Sequence, residues 1–108
     1  MKTILITGAS SGIGCALAKI YAENSHNLVL VARREEKLKD LKEELEKKYS
    51  ISIIIEVMDL SKKENLEILS LKYKNIDVLI NNAGLGQYGK FDSYNLETDI
   101  SMINLNIL

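Results

Sequence analysis

Thr7-Gly8-Ala9-Ser10-Ser11-Gly12-Ile13-Gly14 is a glycine-rich loop between two apolar segments of different period. Upstream, Lys2 to Thr7 is a short β-branched apolar run, which predicts a buried strand. Downstream, from Ser11 or Gly12 to about Asn24, Ile13, Ala16, Leu17, Ile20 and Tyr21 follow helical spacing. In an open α/β sheet, a glycine loop between the first strand and first helix is where a phosphate-bearing ligand sits. Glycine allows the tight turn and removes the Cβ atoms that would keep the backbone from a ligand. The helix start adds free N–H groups and the positive end of a dipole. The alternative is a tight strand-to-helix turn with no ligand. The spacing is G-x-x-x-G-x-G, and no lysine follows Gly12 or Gly14, which argues against a triphosphate-binding loop.

The alternation continues beyond the loop. Asn27 to Ala32 predicts a second strand, and Glu35 to Lys48 a charged helix with Leu38, Leu41 and Leu45 on one stripe. Ile51 to Val57 predicts a third strand. Ser61-Lys62-Lys63-Glu64 has capping-box spacing and opens a third helix through about Tyr73. Ile76 to Asn81 predicts a fourth strand, Ala83 to Tyr94 a loop, and Glu97 onward a helix carrying Ile100, Ile103 and Leu105. This βαβαβαβ order predicts an α/β fold, a doubly wound parallel sheet with helices on both faces and right-handed crossovers. The apolar fourth strand, left as an edge, predicts self-association or poor solubility of the isolated 108-residue chain; a homo-oligomer is expected of the protein.

Composition narrows the function classes. The 108 residues are 46% hydrophobic and 27% charged, as in a globular domain, and exclude a disordered or collagenous chain. A net charge of -1 gives no reason to expect nucleic acid or an anionic membrane as partner. Cys15 is the only cysteine, no apolar run reaches membrane length, and no metal-ligand cluster stands out, so a cytoplasmic, metal-free protein is expected. The sequence stops within an apolar helical pattern, and residues 1–108 are expected to be the N-terminal part of a single, longer domain.

With Asn81-Asn82-Ala83-Gly84 directly after the fourth strand, two motifs stand at predicted strand ends. TGASSGIG and NNAG together resemble the short-chain dehydrogenase/reductase family. The resemblance implies a Rossmann-like dinucleotide-binding fold and an NAD(P)-dependent oxidoreductase that interconverts an alcohol and a carbonyl. It implies that Gly8, Gly12 and Gly14 form the pyrophosphate loop, lined by Ser10, Ser11 and Ile13. Asp59 resembles the residue that meets the adenine amino group, with Leu60 beside the ring; the alternative for Asp59 is a helix cap before Ser61. Asn82, Ala83 and Gly84 resemble the block bordering the nicotinamide ribose. Asn106 resembles the asparagine anchoring a proton relay to the catalytic lysine; its alternative is a surface helix residue.

The second strand ends at Ala32 and is followed by Arg33 and Arg34, the only arginines among 14 basic residues. NAD-binding folds place an acid at this point for the ribose 2′-hydroxyl. An arginine fork instead suits a 2′-phosphate, so NADP (NADPH) is expected in preference to NAD. The family acts through a serine and a Tyr-x-x-x-Lys pair. Four residues beyond Tyr21, Tyr49, Tyr73, Tyr88 and Tyr94 stand Ser25, Ile53, Asp77, Asp92 and Thr98, and none is lysine. His26 reads as a surface residue and Cys15 as a small buried one. A stand-alone nucleotide-binding or interaction module without chemistry is the competing reading.

Overall fold

A computed structural model describes residues 1–10, 12–82 and 101–103. Among these, the chain runs β1 (Thr3–Thr7), α1 (Gly12–Glu23), β2 (Asn27–Ala32), α2 (Glu35–Lys48), β3 (Ile53–Val57), α3 (Lys63–Lys72), β4 (Val78–Asn81) and β5 (Ser101–Ile103). The five strands form one parallel sheet in the order β3-β2-β1-β4-β5. The four expected strands and three expected helices are present, and the fold is the doubly wound α/β sheet. Strand order reverses beside β1, between the crossover to β2 and the later arrival of β4.

Side-chain alternation explains why both faces are covered. Ile4, Ile6, Leu28, Leu30, Val78 and Ile80 point to one face and pack with Ala18 and Ala22 of α1 and Leu38, Leu41 and Leu45 of α2. Leu5, Val29, Val31 and Leu79 point to the other, where they meet Leu60, Ile76 and Leu69 of α3. Every second residue of a central strand is thus apolar on each face, which is why these strands read as continuous apolar runs.

Three expectations need correction. Ser101–Ile103, placed in a helix from Glu97 onward, is a strand paired with β4 in the register Val78↔Ser101 to Ile80↔Ile103. The outer main-chain groups of β4 need partners, and that demand outweighs a helical spacing carried by few residues. It follows that β4 is not an open edge. The capping box at Ser61 also does not form. The Ser61 hydroxyl donates to Asp59 Oδ1 at 2.7 Å, and α3 starts after Lys62 with no side-chain cap. His26 lies in the turn before β2 and keeps part of its surface exposed; its Nδ1 accepts the Lys2 N–H at 3.1 Å, joining the starts of β1 and β2.

The outer strand β3 is pinned from both sides of the sheet. Leu28 N–H bonds to the Ser52 carbonyl, so the Ile53 N–H points away from β2, and it donates to Glu46 Oε2 of α2 at 2.9 Å. Glu56 faces α3, where it accepts the Tyr73 hydroxyl and lies 2.7 Å from Lys72 Nζ. Burial would raise the Glu56 carboxyl, but the hydrogen bonds from Lys72 and Tyr73 and the lysine charge outweigh it and hold it below its ordinary value of 4.5. Burial, then the hydrogen bond to Glu56 and its charge, push the Tyr73 phenol up.

Helix α1 ends in a Schellman turn. His26 N–H reaches the Tyr21 carbonyl at 3.1 Å and Ser25 N–H the Ala22 carbonyl at 2.9 Å, with Ser25 at φ 67°. An L-residue in that region costs roughly 1–2 kcal/mol. Ser25→Gly is expected to raise the midpoint of thermal unfolding by several degrees, on the order of 4–8 °C per kcal/mol in a domain of this size. For Glu56, the depressed folded value means that its stabilisation is complete above pH 4.5 and fades as pH falls through the lowered value. Glu56→Gln should therefore cost about 1 kcal/mol in denaturant titrations at pH 7, and the gap to wild type should close in acid.

Candidate functional site

The ends of β1 and β4 lie side by side, in the register Thr7↔Asn81, and their last residues are fastened to each other. The Thr7 hydroxyl donates to Asn81 Oδ1 at 3.1 Å and accepts the Asn82 N–H at 3.0 Å. Thr7 and Asn81 are the two buried polar residues of the described core, and one hydroxyl serves both strands. The Asn82 side-chain amide then donates to the Gly8 carbonyl at 3.4 Å, so the end of β4 holds the first turn of the glycine loop.

The glycines act in different ways. Gly8 and Gly12 have φ of 65° and 55°, in the left-handed region. A Cβ on Gly14 would stand 2.1 Å from the Gly8 carbonyl oxygen and 2.8 Å from Asn82 Nδ2. The first turn of α1 therefore rests directly on the Gly8 carbonyl, at a distance that no side chain permits. A Cβ on Gly12 would meet nothing within 4 Å. At Gly12 the glycine leaves open space beside the start of α1, where free N–H groups face outward. Ala9 is buried, and its N–H donates to the Val31 carbonyl at 3.2 Å, tying the loop to β2. Ser10 is half-buried and Ile13 is 38% exposed.

A second cluster forms where β2 and β3 end. Ala32 and Val57 are paired, and the Met58 N–H donates to the Ala32 carbonyl at 3.0 Å. Arg33 and Arg34 follow, both exposed. Arg34 occupies the N-cap of α2 in extended conformation and makes no side-chain cap. A cation here opposes the helix dipole, which Glu35 and Glu36 in the first turn offset. Across from them, Asp59 is held in a tight turn. Its Oδ1 accepts the Ser61 hydroxyl and, at 3.0 Å, the Ser61 N–H. Its carbonyl accepts Asn65 Nδ2 at 2.8 Å and the Lys62 N–H at 3.2 Å. The Ser61 bonds, and after them the charges of Arg33 and Lys62, hold the Asp59 carboxyl below the usual carboxylate range.

Gly8, Ser10, Gly12, Ile13, Gly14 and Asn82 thus gather at the ends of β1 and β4, and Arg33, Arg34 and Asp59 at the ends of β2 and β3. Both groups lie on the carboxyl edge of the sheet, where open α/β sheets bind ligands. Leu60 is 5% exposed and packs in the core under α3, so its side chain faces inward. Cys15 is half-buried against the core of the α1–α2 face. Ser11, Ala83, Gly84 and Asn106 lie outside the described residues. Sequence reasoning passed over Thr7 as the clamp and Ser61 and Asn65 as the supports of Asp59. Asp-x-Ser after a strand is an Asx-turn signal that would have found Ser61. Among the described residues no three His, Cys, Asp or Glu are grouped to hold a metal, and no helix is long and apolar enough to cross a membrane.

Residues 2–108 match the family described as short chain dehydrogenase. The chain is 41% identical, over 99% of its length, to an NADP-dependent 3-hydroxy acid dehydrogenase of Schizosaccharomyces pombe, of which the match covers 44%. It is 43% identical over 84 residues to a 3-oxoacyl-[acyl-carrier-protein] reductase of Rickettsia prowazekii, covering 33% of that protein. Among solved structures, a short-chain dehydrogenase from Sphingobium yanoikuyae in complex with NADPH superposes with a TM-score of 0.74 at 38% identity, over 78% of this chain and 34% of that one. The chain spans less than half the length of these relatives. The matched residues, the parallel sheet and the glycine loop agree, and the chain belongs to the short-chain dehydrogenase family.

Proposed function

We propose that the protein carrying this chain is an oxidoreductase that interconverts an alcohol and a carbonyl with NADP in preference to NAD, and that residues 1–108 are the N-terminal, cofactor-binding part of one dinucleotide-binding domain. The observation that carries this reading is the open space at Gly12, beside the start of α1 and on the carboxyl edge of the sheet. A backbone shaped in this way fits a pyrophosphate. The N–H groups of the first turn of α1 would face its oxygens, with Ser10 and Ser11 lining the loop. The bound nicotinamide would supply the hydride that is given or taken.

The remaining roles follow from position. Asp59 would accept the adenine amino group, while Leu60, its side chain turned into the core, would offer only backbone to the ring. Asn82, Ala83 and Gly84 would border the nicotinamide ribose, and Asn106 would anchor the proton relay. Arg33 and Arg34 would meet the 2′-phosphate of NADP. The relative from Schizosaccharomyces pombe is NADP-dependent by name and the Sphingobium neighbour holds NADPH, which supports the same preference. A cytoplasmic homo-oligomer with a small alcohol or carbonyl substrate completes the reading.

A charge-assisted hydrogen bond contributes roughly 1.5–3 kcal/mol, about 10- to 150-fold in affinity. Arg33→Ala should weaken NADPH binding at least tenfold (about 1.4 kcal/mol) and leave NADH nearly unchanged in fluorescence titrations of the intact protein. Equal loss for both cofactors would remove the assignment of NADP. Two glycine variants separate packing from binding. Gly14→Ala should destabilise the fold by about 1–3 kcal/mol, because its Cβ strikes main chain. Gly12→Ala should leave a folded protein, at a strain of roughly 1–2 kcal/mol, that binds neither cofactor well. Thermal unfolding alongside cofactor titration distinguishes the two. The 108-residue chain alone should show no carbonyl reduction above buffer, since it contains no Tyr-x-x-x-Lys.

A further inference from the structure

Asp59 lies within the electrostatic reach of two cations from different elements. Arg33 is the first residue after β2 and Lys62 lies in the turn before α3, and the charges of both reach the Asp59 carboxylate. The carboxylate is not free to turn away, since Ser61 holds Oδ1 through its hydroxyl and its N–H. Nor can the strand ends separate, since Met58 is bonded to Ala32. The paired strand ends and the turn at Asp59 therefore hold a fixed negative charge within electrostatic reach of Arg33, the cation assigned to the 2′-phosphate, and of Lys62.

We propose that Asp59, fastened by Ser61 and flanked by Arg33 and Lys62, sets how strongly the site discriminates between a phosphorylated and an unphosphorylated adenosine ribose. The inference rests on the NADP reading above and adds a specificity role to a residue assigned only to the adenine ring. Asp59 repels a 2′-phosphate and draws on the charge of Arg33; Lys62 counters it. The adenine contact is common to NADPH and NADH and cancels in the ratio of their affinities, whereas the charge effect acts on NADPH alone. All three groups are solvent-accessible, so the effect has the size of a screened surface interaction.

The test is a titration of the intact protein with NADPH and NADH, reading the ratio of dissociation constants at low salt and at 1 M salt. Asp59→Asn keeps Oδ1 as an acceptor for Ser61 and removes the charge; its NH2 group would also cost the adenine contact, a loss common to NADPH and NADH that leaves their ratio untouched. The substitution should raise the preference for NADPH by about two- to fivefold. Asp59→Glu should leave the ratio near wild type, and Lys62→Ala should lower it by a similar factor. These differences should vanish at 1 M salt, where the screening length falls to about 3 Å. A packing effect would persist. An unchanged ratio in Asp59→Asn or in Lys62→Ala, or changes that survive 1 M salt, would overturn the proposal. Arg33→Ala separates the two levels. If it loses NADPH selectively while Asp59→Asn leaves the ratio unchanged, only this inference fails; if it weakens both cofactors equally, the NADP reading fails and this inference with it.

Discussion

The contact between Gly14 and the Gly8 carbonyl is the constraint on which the carboxyl edge is built. A helix can begin this close to the strand that feeds it only if its facing residue has no side chain. The first turn of α1 is thereby held against the end of β1 and the Asn82 side chain. Thr7 is buried at the end of β1, and its one hydroxyl makes two bonds to the end of β4, donating to Asn81 and accepting from Asn82. Asn82 returns the contact through the Gly8 carbonyl. Glycine, threonine and two asparagines form one chain of dependence, in which the absence of a methyl group fixes where polar groups must go.

The same edge has a second, looser half. Around β1 and β4, Thr7, Asn81 and Gly14 are buried and the strand ends are joined by direct bonds, whereas Arg33, Arg34 and Lys62 extend into solvent from the end of β2 and from the turn before α3. Geometry in the first half is set by packing, in the second by charge. Under the proposed function, the first half would meet a pyrophosphate common to both dinucleotides, and the second a substituent that only one of them carries.

Much of this was legible in the sequence, for a physical reason. Strands buried on both faces are apolar at every position, so Ile4 to Ile6 and Leu28 to Val31 stand out from any polar context. Leu38, Leu41 and Leu45 mark the buried stripe of α2. The glycine loop was visible because its residue type is demanded by backbone shape. What failed were elements decided by competition between partners. Three residues, Ser101 to Ile103, carry too little period to tell a strand from a helix, and the open side of β4 decided. Ser61 had the spacing of a cap, but Asp59 lies two residues away and captured its hydroxyl first. At Leu60 the sequence shows the position but not the direction of the side chain, which packs into the core.

The carboxylate of Glu46 has a consequence for the far side of the sheet. β3 is the last strand, and its outward main-chain groups are where another chain could add. Ile54 and Val57 are nearly half exposed there, an apolar lure beside unpaired backbone. By occupying the Ile53 N–H, Glu46 removes the first rung that an incoming strand would grip. A newcomer would have to dock part-way along, with fewer rungs to offset its lost freedom, and beside a negative charge. One glutamate on the neighbouring helix thus acts as a full stop to sheet growth.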